Sequence, residues 1–147
     1  MATLAWVFDI DGTLANGDHR LHHIQKVPKD WTAYFAEVGG DAPIPHMIKL
    51  LTTLAGEAEV VLVSGRSDEC RDATLSWIKA ATDGYEFPLY MRRAGDYRDD
   101  GIVKIELLAQ MRADGFEPIM VFDDRTRVVK AFRAAGVPCA QVAEGDF

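Results

Sequence analysis

Short apolar runs alternate with stretches of helical periodicity along the whole chain. The first run, Leu4 to Asp9, is nearly continuous in apolar character, as a strand covered on both faces should be. Ile44, Met47, Ile48, Leu51, Leu54 and Ala55 then mark one face of a helix that ends at Gly56. A second strand is predicted over Glu59 to Val63. Ser67 or Asp68 can cap the next helix, in which Cys70, Ala73, Trp77, Ile78 and Ala81 keep helical spacing and Gly84 closes. Phe87 to Met91 reads as a third strand. Asp99 or Asp100 can cap a helix carrying Ile102, Ile105, Leu108 and Met111, which ends before Gly115. A fourth strand covers Ile119 to Phe122, a helix runs from about Thr126 to Ala135, and a last strand covers Cys139 to Val142. Alternation of this kind predicts an α/β fold around a mostly parallel central sheet.

One segment breaks the alternation. Residues 16 to 41 are polar and irregular, too long for a simple turn and too short for a large cap domain. They are expected to form a small, partly helical lid on a single domain spanning 1–147. Trp31, Tyr34 and Phe35 within it can pack the lid to the body or stack on a base, and their helical spacing favours packing.

Composition narrows the class. The chain has 147 residues, 48% apolar and 27% charged, as ordinary globular proteins do. No apolar run approaches the roughly 20 residues that span a bilayer, and the N-terminus lacks the basic region of a signal peptide. Cys70 and Cys139 lie far apart and are expected to be reduced, packed thiols, consistent with cytoplasm. A net charge of −7 argues against gripping long nucleic acid with the whole surface, but leaves room for a local patch.

Three predicted strands end in polar clusters: Asp9-Ile10-Asp11-Gly12-Thr13, Ser64-Gly65-Arg66 and Asp123-Asp124-Arg125. In open parallel sheets ligands bind beyond the carboxyl ends of the strands, so the clusters should meet in space. Gly12 and Thr13 permit a tight turn with backbone N–H groups available to a phosphate. An ordinary Asp-Gly turn and a helix N-cap are the plainer explanations for Asp11 and Asp124. Carboxylates about 4 Å apart, however, repel by roughly 4 kcal/mol at an effective dielectric near 20, which a hard divalent cation such as Mg²⁺ would remove. Ser64 can donate to a phosphoryl oxygen and Lys104 can balance charge on the transferring group.

In order and spacing these residues resemble the haloacid dehalogenase (HAD) superfamily. Asp9-x-Asp11-Gly12-Thr13 is similar to its first motif, Ser64 to its second, Lys104 to its third and Asp123-Asp124 to its fourth. The resemblance implies a Rossmann-like HAD fold. It also implies Asp9 as a nucleophile forming an aspartyl-phosphate, and Asp11 as general acid and base. Mg²⁺ would be held by Asp9, Asp11 through its backbone carbonyl, Asp123 and Asp124. Dehalogenases lack the second aspartate, so this pattern is that of the phosphatases.

A narrower resemblance spans nearly the whole chain. Ser64-Gly65-Arg66, Gly95-Asp96-Tyr97-Arg98-Asp99-Asp100-Gly101-Ile102-Val103-Lys104, Phe122-Asp123-Asp124-Arg125-Thr126 and Gly145-Asp146-Phe147 resemble the phosphatase domain of phage polynucleotide kinase/3′-phosphatase. It implies removal of 3′-phosphates, in some members 2′,3′-cyclic phosphates, from nucleic-acid ends or nucleotides. It further implies substrate binding by Thr13, Ser64, Gly65, Arg66, Arg20 and Asp100, and a separate kinase or ligase partner. Gly101 stands where relatives often carry an acid. No Gly-x-x-x-x-Gly-Lys-Ser/Thr occurs, so 5′-phosphorylation is not expected of this chain. Arg92, Arg93 and Arg98 form the one local basic concentration, a solvated loop or a phosphate contact. Two rivals share the residues: a small-molecule phosphatase such as a 5′-nucleotidase, and an inactive nucleotide-binding module.

Overall fold

Five parallel strands form the central sheet of the computed structural model, which describes residues 1–147. The chain opens with β1 (Thr3–Phe8), then a small insertion framed by two-residue strands β2 (Ala15–Asn16) and β3 (Ala42–Pro43). The insertion carries α1 (His22–Gln25) and α2 (Trp31–Ala36). The body continues as α3 (Pro45–Ala55), β4 (Glu59–Ser67), α4 (Arg71–Ala81), β5 (Leu89–Arg92), α5 (Asp100–Ala113), β6 (Phe116–Asp123), α6 (Thr126–Ala134) and β7 (Cys139–Gln141).

The sheet order is β5-β4-β1-β6-β7, so the chain winds outward from β1 in one direction and then returns to wind in the other. This doubly wound topology places a crevice at the carboxyl ends of β1 and β6, where the winding reverses. Strand alternation builds two cores. Phe8, Val60, Leu62 and Phe122 meet Met47, Leu51, Trp77 and Ile78 on one face. Val7, Val61, Val63 and Val121 meet Val103, Leu107, Val129 and Phe132 on the other. Covering both faces explains why the strand sequences are apolar at nearly every position. Cys70 and Cys139 are free and buried, one in each core. Burial pushes the Cys139 thiol up to about 12. No helix is long and apolar enough to cross a membrane.

The predicted order of elements holds, and the differences lie at their ends. β4 continues to Ser67 instead of stopping at Val63, because its pairing with β5 slips between Ser64 and Ser67 and the strand resumes after a bulge. β6 starts at Phe116, ahead of Ile119, with an irregular register beside Pro118. β5 lies at Leu89–Arg92 instead of Phe87–Met91. Of the alternative caps, Ser67 accepts from the Glu69 N–H before a short 3₁₀ turn, and Asp99 accepts from the Gly101 N–H.

Candidate active site

Register fixes the first contacts. Phe8 pairs with Leu62 on one side and Phe122 on the other, and the two phenyl rings stack at 4.6 Å. Asp9 therefore leaves β1 level with Asp123 at the end of β6, its N–H donating to the Phe122 carbonyl at 3.0 Å. Both carboxylates are buried, as is Asp124. One oxygen from each of the three comes within 4.8 Å of the others.

Lys104, buried on α5, donates to Asp9 Oδ1 at 2.8 Å and to Asp123 Oδ2 at 2.7 Å. Thr13 Oγ1 donates to the other Asp9 oxygen at 2.9 Å. Burial, then the neighbouring Asp123, raise the Asp9 pKa well above the usual carboxylate range despite Lys104. Burial and Asp123 likewise push Asp124 up to about 6. Burial disfavours the Lys104 ammonium, but Asp9 and Asp123 outweigh it and hold its pKa well above the ordinary value. One ammonium against three carboxylates leaves an excess of negative charge. An oxygen-only, buried and under-compensated donor set fits a hard divalent cation such as Mg²⁺. Gly12 makes the close approach possible: its φ is +81°, and a Cβ there would fall on the Asp124 carboxylate.

Asp11 points elsewhere. Its carboxylate receives Arg66 Nε at 3.0 Å, Arg66 Nη2 at 2.8 Å and Arg20 Nη2 at 2.7 Å. Burial pushes its pKa up, but Arg66 and then Arg20 overcome this and hold it below the ordinary value. The Asp11 side chain keeps 35% of its surface open, whereas both arginines keep none. Behind them lies Asp41, also sealed, which accepts Arg20 Nε at 2.8 Å, Arg20 Nη2 at 2.8 Å and Arg66 Nη2 at 2.9 Å. His19 Nε2 meets the same carboxylate at 2.7 Å. Arg66 also donates to Thr74, and Tyr34 lies 4.3 Å from the Arg20 guanidinium. Arg20 Nη1 is buried with no partner.

The structure thus brings every predicted site residue to one sheet edge, in two groups. Asp9, Thr13, Lys104, Asp123 and Asp124 form the first. Asp11, Arg20 and Arg66 form the second, with their guanidinium groups turned toward Asp11 and Asp41. Ser64 and Gly65 border both: the Ser64 hydroxyl accepts from the Arg66 N–H at 3.1 Å. Asp100 lies 3.6 Å from Lys104 and meets Arg92 at 3.2 Å, beside Gly65, where any Cβ would clash with it. The basic loop is largely used internally. Arg92 donates to the Gly65, Asp96 and Arg98 carbonyls, and Arg98 pairs with Asp96 and Glu106, so Arg93 alone is in no ion pair.

Asp41 is the residue that sequence reasoning missed. It stood as the far boundary of the lid, and nothing local marks it. The available signal was indirect: if Arg20 and Arg66 are buried together, Asp11 alone cannot compensate both. Trp31, Tyr34 and Phe35 pack on one another at 5.3–5.9 Å, Tyr34 lies over Arg20, and Phe35 packs against the core of the body, so the half-buried triplet fastens the insertion to it.

Comparison with known proteins agrees with this geometry. A family model described as the polynucleotide kinase PNKP phosphatase domain matches residues 3–147. A candidate bifunctional polynucleotide kinase/RNA ligase of Autographa californica nuclear polyhedrosis virus is 28% identical over 130 residues, 88% of this chain and 18% of that protein. Among solved structures, a Pnkp1/Rnl/Hen1 complex matches at 29% identity and TM-score 0.81, over 99% of this chain and 48% of the matched one. A haloacid dehalogenase-like hydrolase from Streptococcus pneumoniae shares the fold at TM-score 0.66 and 14% identity, over 95% of this chain and 84% of its own. The chain spans less than half the length of the first two relatives. It belongs to the family of polynucleotide kinase PNKP phosphatase domains, built on the HAD-type α/β fold.

Proposed function

We propose that the chain is a Mg²⁺-dependent phosphomonoesterase that removes 3′-phosphates from nucleic-acid ends or nucleotides through an aspartyl-phosphate at Asp9. The arrangement of Asp9 carries this reading: a buried carboxylate at the switch point, with one oxygen held by Lys104 and the other by Thr13. Lys104 favours the ionised, nucleophilic form that burial opposes. Asp9 attacks phosphorus as the P–O ester bond breaks, and the leaving oxygen takes its proton through Asp11; Arg66 and Arg20 hold that carboxyl ionised in the free site, so it must gain the proton once substrate is bound. Asp11 then takes a proton from water, which attacks the phosphorus of the aspartyl-phosphate. Phosphate departs and the Asp9 carboxylate is restored.

Asp9, Asp123 and Asp124, with the Asp11 backbone carbonyl, would hold Mg²⁺, which supplies compensation for the site's negative charge. Ser64 and Lys104 are assigned to the phosphoryl oxygens, beside Gly65 and Asp100. Arg20 and Arg66 are assigned to positioning Asp11, since their guanidinium groups are sealed against it. The kinase and ligase named in the viral relative, and the complex in which the matched Pnkp1/Rnl/Hen1 structure stands, support action beside a kinase or ligase partner, and two buried free thiols suit a reducing cytoplasm.

Rates on matched 3′-phosphate, 5′-phosphate and 2′,3′-cyclic phosphate substrates with Mg²⁺ test the ester assignment. The 3′-phosphate should be hydrolysed fastest. Hydrolysis of 5′-nucleotides with none of 3′-phosphorylated oligonucleotides would replace the reading with a 5′-nucleotidase.

The metal assignment has a thermal signature. Asp124 rises from an ordinary 3.8 to about 6, so the folded, metal-free chain binds a proton that the unfolded chain releases. That contribution to stability is present below about pH 4 and is lost as pH rises through about 6. Mg²⁺ should therefore raise the melting temperature most at neutral pH and progressively less as pH falls below about 6. At about 100 times its dissociation constant the gain is ~2.7 kcal/mol, or roughly 5–10 °C for a chain of this size. An absent shift, or one independent of pH, would remove the cation from these carboxylates.

A further inference from the structure

A second cleft opens between the lid and the loop joining β5 to α5. Its volume is about 530 Å³, within the range of small-ligand clefts. The lid contributes Lys26, Val27, Lys29, Asp30 and Trp31, and the loop contributes Tyr97. Tyr97 is 77% exposed, and Val27 opposite it is 97% exposed.

The charge on this cleft runs against that of the chain. Net charge is −7, yet the cleft carries two lysines and one aspartate. Neither Lys26 nor Lys29 is in an ion pair with any carboxylate of the chain, and Lys29 rests 5.7 Å above the Trp31 ring. Asp30 is already engaged, accepting the Ala33 N–H at 3.0 Å as the cap of α2. An exposed aromatic ring, here Tyr97, beside unpaired ammonium groups is the combination that binds single-stranded nucleic acid: a base stacks and phosphates pair.

Both walls connect to the active site. On the lid, Trp31 packs edge-on against Tyr34 at 5.6 Å; Tyr34 covers Arg20, and Arg20 bonds Asp11. On the loop, Arg92 holds the Asp96 and Arg98 carbonyls that flank Tyr97, and also the Gly65 carbonyl beside Ser64. We propose that this cleft seats the nucleotides preceding a 3′-terminal phosphate, with a base stacked on Tyr97 and backbone phosphates at Lys26 and Lys29. The chain then prefers single-stranded oligonucleotide ends to free nucleotides. This rests on the 3′-phosphate reading above.

The test compares kcat/KM on a 3′-phosphorylated tetranucleotide and on a nucleoside 3′-phosphate, for the wild type, Tyr97→Ala and Lys26→Ala/Lys29→Ala. The wild type should prefer the tetranucleotide by about ten-fold or more, the effect of one base–aromatic stack, and Tyr97→Ala should lose most of that preference through KM. The lysine variant should flatten the log–log salt dependence by about 0.7 for each phosphate that no longer meets an ammonium group. All three side chains are exposed, so melting temperatures should match the wild type. Fluorescence anisotropy with a 5′-labelled tetranucleotide bearing a 3′-hydroxyl reads the cleft without chemistry. Weaker binding by Tyr97→Ala supports the cleft even if no 3′-phosphate is hydrolysed, an outcome that would overturn only the 3′-phosphatase reading. Equal wild-type rates on the two substrates, or unchanged preference and anisotropy in the variants, would overturn the cleft.

Discussion

Asp9→Asn is expected to abolish turnover while leaving the fold intact. Asparagine keeps the shape of the side chain but cannot form the acyl-phosphate, and replacing a catalytic nucleophile lowers kcat by about four orders of magnitude or more. The structure also predicts little loss of stability. The Asp9 carboxylate is buried beside Asp123, and burial and that neighbour already disfavour its charge. Lys104 keeps Asp123 at 2.7 Å when the Asp9 charge is removed. Phosphate release and thermal melting measured on the same preparation check both halves. Hydrolysis at the wild-type rate would remove Asp9 from the chemistry. A collapse in melting temperature would show that its charge holds the fold.

Asp41→Ala should have the largest effect on stability. Asp41 is the sealed partner of both Arg20 and Arg66 and also meets His19, while its carbonyl accepts the Trp77 indole N–H at 2.8 Å. Without this carboxylate, two buried guanidinium groups share only the half-open Asp11. Breaking a buried pair in this way costs about 3–5 kcal/mol, which lowers the melting temperature by roughly 10 °C in a chain of this length. Activity should fall as well, because the same arginines set the position of Asp11. Asp41→Asn keeps hydrogen-bond acceptance and should melt between the two. Scanning calorimetry of the three chains gives the order; an alanine variant as stable as the wild type would show that the lid does not depend on this network.

The parts legible in the sequence share a physical basis. Strands buried on both faces leave continuous apolar runs, so β1, β4 and β6 and the polar clusters at their ends can be read directly. Parallel topology then carries Asp9, Ser64 and Asp123 to one edge without any knowledge of side chains. Features set by tertiary contact were not legible. The ribbon of β2 and β3 has two residues on each side, too few to show a period. The bulge after Ser64 depends on pairing with β5. Burial of Arg66 on the body and of Arg20 on the insertion follows from the packing of one on the other, and that burial is what gives Asp41 its role. Tyr97 is ordinary in sequence and becomes notable only through its exposure opposite Val27.

The central claim is that phosphate passes through a covalent bond to Asp9. The stereochemical outcome at phosphorus tests it whether or not the intermediate accumulates. An ester made chiral at phosphorus with sulfur and oxygen isotopes should be hydrolysed with net retention, because attack by Asp9 and then by water inverts the centre twice. Net inversion would mean that water attacks the ester directly, and would contradict the account.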